Sequence, residues 1–132
     1  MVRDWSGHVV LAFARKSLCP YVPLLAECLA IREGLLLAQH HRLSIREVES
    51  DCLVTVQVIN KVYVSLLLDS IANDIRKLLS EHGDGSCHYI SRQRNVAAHT
   101  IARESLAMSS DAIWTNECPS CIFQCITHDA SL

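Results

Sequence analysis

The sequence predicts an α/β domain in which a mixed sheet carries helices on its faces. Three observations predict it. Two long segments, Pro23–His40 and residues 65–82, repeat apolar or small side chains at helical spacing. Three short runs rich in β-branched, aromatic or alternating residues, Val9–Ala14, 45–51 and 87–91, have the length of strands. Turn and breaker residues separate them: Gly7, Cys19-Pro20 and Gly83-Asp84-Gly85. The resulting order is hairpin, helix, strand, two helices, strand, helix.

Each element has its own reason. Val2-Arg-Asp-Trp-Ser-Gly-His8 is a hairpin turn, and Asp4 ahead of Gly7 is a turn-forming acid with a structural role. The strand before this turn has almost no length. Residues 17–22 form a loop around Cys19-Pro20, and Pro23 opens a helix where proline is tolerated. On that helix Ala26, Ala30, Gly34 and Ala38 recur every fourth position, a stripe suited to close packing on a sheet. Gly34 sacrifices about 1 kcal/mol of helix propensity, and close packing is the reason to keep it. Arg32 and Glu33 point away from the stripe, to solvent. His40-His41 complement the dipole at the helix end, and adjacent helical residues diverge by about 100°, so the pair does not share a metal.

Residues 52–60 alternate β-branched side chains and fit strand or helix; they are assigned to a helix. Residues 65–82 place Leu68, Ile71, Ile75, Leu78 and Leu79 on one face and Asp69, Asp74, Arg76 and Lys77 on the wet side. After the strand at 87–91, Arg92-Gln-Arg-Asn95 is a polar loop, with Asn95 as N-cap of a helix over 96–108.

Composition narrows the function. The chain has 132 residues, 50% of them hydrophobic, and a net charge of −2. It is long and apolar enough for one folded domain with a core. Its mild acidity gives no global electrostatic case for nucleic acid, so such a role must rest on local residues. No apolar run reaches the roughly 18 residues of a membrane span. Arg3 and Asp4 break up the opening as a signal peptide. Seven cysteines without such a signal imply reduced thiols and an intracellular location, nucleus or cytoplasm undistinguished.

Two acids stand out. Asp51 sits where a strand ends and a helix begins, the place where ligands gather in open α/β sheets. Glu27 is the single acid in the first turns of the preceding helix, along the face of its small residues. Carboxylates on consecutive elements of one layer can face a common cleft.

Four motifs then fall in order: Ala26-Glu27, Glu33-Gly34-Leu35, Val48-Glu-Ser-Asp51-Cys, and Ser91-Arg92-Gln-Arg-Asn95-Val-Ala-Ala-His99-Thr-Ile-Ala-Arg103. With them the sequence resembles the ribonuclease H-like domains abundant in plant genomes, related to those of retroelement reverse transcriptases. The resemblance runs from Val2-Arg-Asp-Trp-Ser-Gly7 to Trp114. It implies an endonuclease that cuts the RNA strand of an RNA–DNA hybrid with two Mg²⁺ ions. Two ions can activate the attacking water and stabilise the leaving oxygen, and Mg²⁺ demands oxygen ligands, hence a cluster of four acids. Glu27 matches the helical Glu and Asp51 the Asp at the strand end, both as metal ligands.

Two positions depart from the pattern. No residue matches the first Asp, whose strand is expected ahead of Met1. His99 replaces the last Asp, as in some plant members, and a neutral imidazole suits Mn²⁺ or Zn²⁺ better than Mg²⁺. The loop His of cellular members has no firm counterpart; His88 is near but on a strand. The resemblance thus implies a ribonuclease H-like domain over residues 1–110, lacking its first central strand. Its catalytic set is Glu27, Asp51 and His99, its cofactor Mg²⁺ or Mn²⁺, and its cleavage weak or absent. An absent central strand leaves buried backbone unpaired, at about 1–3 kcal/mol per group. Either the hairpin shifts to pair with residues 45–49 or the chain is a fragment of a longer protein. Arg92 and Arg94 are placed for backbone phosphates, with Asn95 beside them in the substrate-binding set. Hybrid recognition would rest on shape and 2′-hydroxyls, without base specificity.

Residues 111–132 read as a Cys-rich tail. Cys118-Pro-Ser-Cys121-Ile-Phe-Gln-Cys125-Ile-Thr-His128 offers four zinc ligands. The loops between them are very short, and Trp114, Pro119, the apolar run 122–126 and Asp129 reproduce the family's own cysteine-free tail, so zinc is disfavoured. Two other functions compete with the nuclease: a non-catalytic nucleic-acid or protein-binding module on the same fold, and a small zinc-stabilised interaction protein.

Overall fold

The computed structural model describes residues 1–16 and 22–130, the last two by backbone alone. The expected loop around Cys19-Pro20 therefore lies, Val22 apart, outside the described residues. The elements run β1 Val2–Arg3, β2 Val9–Ala14, α1 Pro23–His40, β3 Glu47–Ser50, α2 Leu53–Ile59, α3 Asp69–Glu81, β4 Ser86–Tyr89, α4 Val96–Ser105, β5 Ala112–Thr115 and α5 Phe123–Ala130. This is the mixed α/β architecture the sequence predicts. They form two compact units, one of residues 1–19 with 92–132 and one of residues 20–91.

In the first unit the hairpin turn closes on Asp4. Its Oδ1 accepts the Ser6 N–H and the His8 N–H, each at 2.9 Å, and the Ser6 hydroxyl at 2.8 Å. Gly7 takes φ 86°, which a side chain would resist. β1 and β2 pair antiparallel with a register shift, and β2 pairs antiparallel with β5 from Leu11↔Thr115 to Ala14↔Ala112. Both edges of β2 are thus taken within its own unit. Pairing of the hairpin with residues 45–49 is one of the two outcomes the sequence leaves open, and both edges of β2 are occupied by β1 and β5. The carboxylate of Asp111 fixes the β5 end by accepting the Lys16 N–H at 3.0 Å.

Val9, Ala12, Ala14, Ala97, Ile101 and Ile122 form the core of this unit, with Trp114, Met108, Cys118 and Cys125 packed on it. Residues past 111 therefore contribute a strand, a helix and core side chains. Burial pushes the Cys118 thiol up, and that cysteine serves as a small apolar group. α4 ends at Ser105, short of the expected 108, where the Ser105 hydroxyl turns back onto the Ala102 carbonyl at 2.6 Å.

In the second unit α1 packs on α2 and α3. Its buried residues are Cys28, Leu35 and Ala38, whereas Ala26 and Ala30 are exposed. The small-residue stripe is therefore not the contact face at its N-terminal end. The buried positions, Cys28, Leu35 and Ala38, are seven and three residues apart, the spacing of one helix face. Arg32 and Glu33, expected in solvent, are half-buried, and the Arg32 guanidinium lies 3.5 Å from Asp74 and 3.4 Å from Glu33.

α3 is shorter than residues 65–82, because 66–68 form a turn that delivers Leu68, fully buried, to the helix start. Ala72, Ile75, Leu78 and Leu79 complete its buried face. Arg76, expected on the wet side, donates to the Val58 and Ile59 carbonyls at 3.0 and 3.2 Å and so satisfies the end of α2. β3 and β4 pair in parallel, from Glu47↔Ser86 to Ser50↔Tyr89. The chain reaches β4 through Gly85, where a Cβ would stand 2.7 Å from the Ile45 carbonyl oxygen. Only glycine fits that approach. β3 covers only Glu47–Ser50 of the expected 45–51, so Asp51 follows the strand rather than ending it.

Candidate functional site

The site grows from the turn between β3 and α2. Ser50 closes the strand and is 3% exposed, so its hydroxyl must find protein partners. It finds two. The Ser50 hydroxyl donates to Glu27 Oε2 at 3.3 Å and accepts the Cys52 N–H at 3.1 Å. One hydroxyl thereby ties α1 to the β3–α2 turn. Asp51, half-buried, lies in sequence between the two residues of that tie.

Thr55 continues the chain of contacts one turn into α2. It is fully buried. Its hydroxyl donates to Cys52 Sγ at 3.2 Å and accepts from Cys28 Sγ at 4.0 Å. The sequence of bonds runs Glu27, Ser50, Cys52, Thr55, Cys28 and returns to α1 at the residue after its start. Burial is the main cause that raises the Cys28 thiol above its ordinary value. Glu27 thus sits in a network whose other members are all on α1, β3 or α2.

The oxygen donors on these elements are the Glu27 carboxylate, which accepts from Ser50, and the Asp51 carboxylate in the turn that follows β3. Such hard donors suit Mg²⁺ or Mn²⁺, which Mg²⁺-binding sites often hold with one or two carboxylates plus waters. Among the described residues, no three His, Cys, Asp or Glu side chains are grouped as ligands of one ion. A full four-acid cluster is not found among the described residues.

Arg92, Arg94, Asn95 and His99 belong to the first unit, and His88 to the second. Arg92 and Arg94 lie on a single 3₁₀ turn, Arg92–Arg94, and both are exposed. Asn95 stands at the N-cap of α4, and His99, one turn on, is exposed. Asn95 makes no side-chain cap hydrogen bond, against expectation. Its backbone, at φ −107° and ψ 23°, lies outside the extended region from which a capping side chain reaches the first helical N–H groups. His88 lies on β4, its Nε2 2.8 Å from the Ser86 hydroxyl, opposite Glu49 in the strand register.

The buried hydroxyls of Ser50 and Thr55, which link these elements, are contacts that sequence reasoning passed over. The available clue was position: a serine directly before the junction Asp, and a threonine three residues after the first residue of the turn into α2.

A family model described as reverse transcriptase-like matches residues 1–105. No curated protein and no solved structure gives a significant match.

Proposed function

The chain belongs to the reverse transcriptase-like family and carries a ribonuclease H-like domain, and on that premise we propose that it binds nucleic acid, with an RNA–DNA hybrid as its preferred form. In this reading Glu27 and Asp51 hold one Mg²⁺ or Mn²⁺ at the β3–α2 turn, and cleavage is weak or absent. The observation that carries it is the Ser50 hydroxyl bound to Glu27, which joins the two acid-bearing elements through the residue next to Asp51. A bound divalent cation would supply Lewis-acid polarisation of a phosphate oxygen. The chain's own residues do the rest. Ser50 holds the Glu27 carboxylate in one orientation, and the Cys52 N–H holds Ser50. Arg92 and Arg94 offer charge to backbone phosphates, which position a nucleic acid without reading its bases.

Two measurements test this. Titration calorimetry with Mn²⁺ should find one site in the wild-type chain and none in Glu27→Gln or Asp51→Asn. Retention of a labelled RNA–DNA hybrid should exceed that of single-stranded DNA of equal length. Robust cutting of the hybrid in Mg²⁺ that vanishes in either variant would overturn the weak-cleavage part; equal retention of the two probes would overturn hybrid preference. The absence of a three-ligand group among the described residues favours a second reading, a binding module without turnover. In that case hybrid retention survives both substitutions and no cation site is found.

A further inference from the structure

The network around Thr55 holds two thiols that the nuclease reading leaves unused. Cys28 and Cys52 each lie against the same hydroxyl, Cys52 Sγ at 3.2 Å and Cys28 Sγ at 4.0 Å. They come from different elements, α1 and the turn into α2, which pack together. Their exposure differs: Cys52 is partly open to solvent and Cys28 is fully buried. We propose that Cys28 and Cys52 form a redox-sensitive dithiol that hydrogen peroxide converts to an internal disulfide.

The roles follow from exposure. Cys52 is the sulfur an oxidant can reach. Its thiolate attacks one peroxide oxygen, an S–O bond forms, the O–O bond breaks, and hydroxide leaves to be protonated to water; Cys52 is now a sulfenic acid. The Cys28 sulfur then attacks the Cys52 sulfur, an S–S bond forms, the S–O bond breaks, and the departing oxygen leaves as water with the Cys28 proton. Two thiols and one peroxide give one disulfide and two waters. Burial, which shields Cys28 from the oxidant, makes it the resolving partner and not the first to react. Both sulfurs contact the one Thr55 hydroxyl, which places them close to each other. Cys87, buried on β4, is the third thiol of this unit and the competing partner. The inference stands on the thiols alone and is independent of cation binding by Glu27 and Asp51.

Mass spectrometry of the full, reduced chain after mild peroxide treatment tests it. The expected result is the loss of two hydrogen masses and a non-reduced digest in which the peptides carrying Cys28 and Cys52 are linked. Cys87→Ser should preserve that link. Cys28→Ser should stop at a Cys52 sulfenic acid that a dimedone probe captures, and Cys52→Ser, at a part-exposed position that tolerates the change, should abolish the link. Wild-type chain with no Cys28–Cys52 peptide, or with equal yield of that peptide when oxidised in guanidinium, overturns the proposal.

Discussion

Two turns that open helices behave in opposite ways. The turn between β3 and α2 is held from inside: Ser50 and Thr55 are buried, and each hydroxyl serves two partners. The turn into α4 carries backbone bonds, Asn95 N–H on the Arg92 carbonyl at 3.1 Å and His99 N–H on the Asn95 carbonyl at 3.0 Å, and the Asn95 side chain adds no cap bond. Its charged side chains are exposed. Under the proposed function the contrast matches two different demands. A carboxylate that ligates a cation must be fixed in direction, and fixing it takes a support with no freedom of its own. An arginine that meets a phosphate needs charge and reach more than a fixed pose. The first kind of residue is expensive to disturb and the second is nearly free.

Substitutions can break or sharpen that contrast. The largest effect is expected on the buried face of α3. Ile75→Ala, at a fully buried position of α3, should destabilise the protein by about 2–5 kcal/mol, read from the chemical-denaturation midpoint. Ser50→Ala comes next. It strands the Cys52 N–H in a buried setting, for about 1–3 kcal/mol, and frees Glu27 to rotate, so the Mn²⁺ affinity should fall as well. If stability and affinity both stay at wild-type values, the Ser50 tie has no structural weight.

At the exposed turn, Arg92→Ala and Arg94→Ala should change stability by no more than about 0.5 kcal/mol. Each should lower the salt dependence of hybrid binding by about 0.7–0.9 in logarithmic slope if its phosphate contact is real. A slope unchanged in both variants would remove these arginines from the interface. Asn95→Ala is expected to be milder still. Loss of an N-cap side chain ordinarily costs about 1 kcal/mol, but this one makes no cap bond, so thermal melting should barely move.

The smallest effect is a matter of pH. The Ser6 hydroxyl, then the His8 and Ser6 N–H groups, hold the Asp4 carboxyl below its ordinary value. A carboxyl depressed in the folded state contributes stability above its unfolded value and loses it as pH falls through the folded one. Asp4→Asn should therefore lower stability slightly at neutral pH and converge with the wild type in acid, once the Asp4 carboxyl is protonated in both folded and unfolded chains. A wild-type and variant pair of melting curves down the acid range decides it.

Much of this molecule was legible before any coordinates. Glu27 and Asp51 could be singled out because each occupies a local position with chemical meaning, an early helical turn and a strand-to-helix junction. Asp4 could be placed in a turn for the same reason. The small stripe of α1 misled because periodicity states which residues share a face, not which face is covered. Ala26 and Ala30 share it with Ala38, yet only Ala38 is buried. Arg76 misled in the reverse way: charge suggested solvent, and the free carbonyls of α2 drew it inward. Asn95 had the right identity for a cap and the wrong backbone angles.

Element order, element type and the two acids are properties of the sequence by itself, since helical spacing, β-branched runs and glycine breakers act within a few residues. The tertiary structure alone decided that β2 is completed by β5, a strand about a hundred positions away. It alone decided that Ser50 grips a carboxylate 23 residues upstream. Both depend on which surfaces meet once the chain has collapsed, and no window of neighbouring residues carries that information.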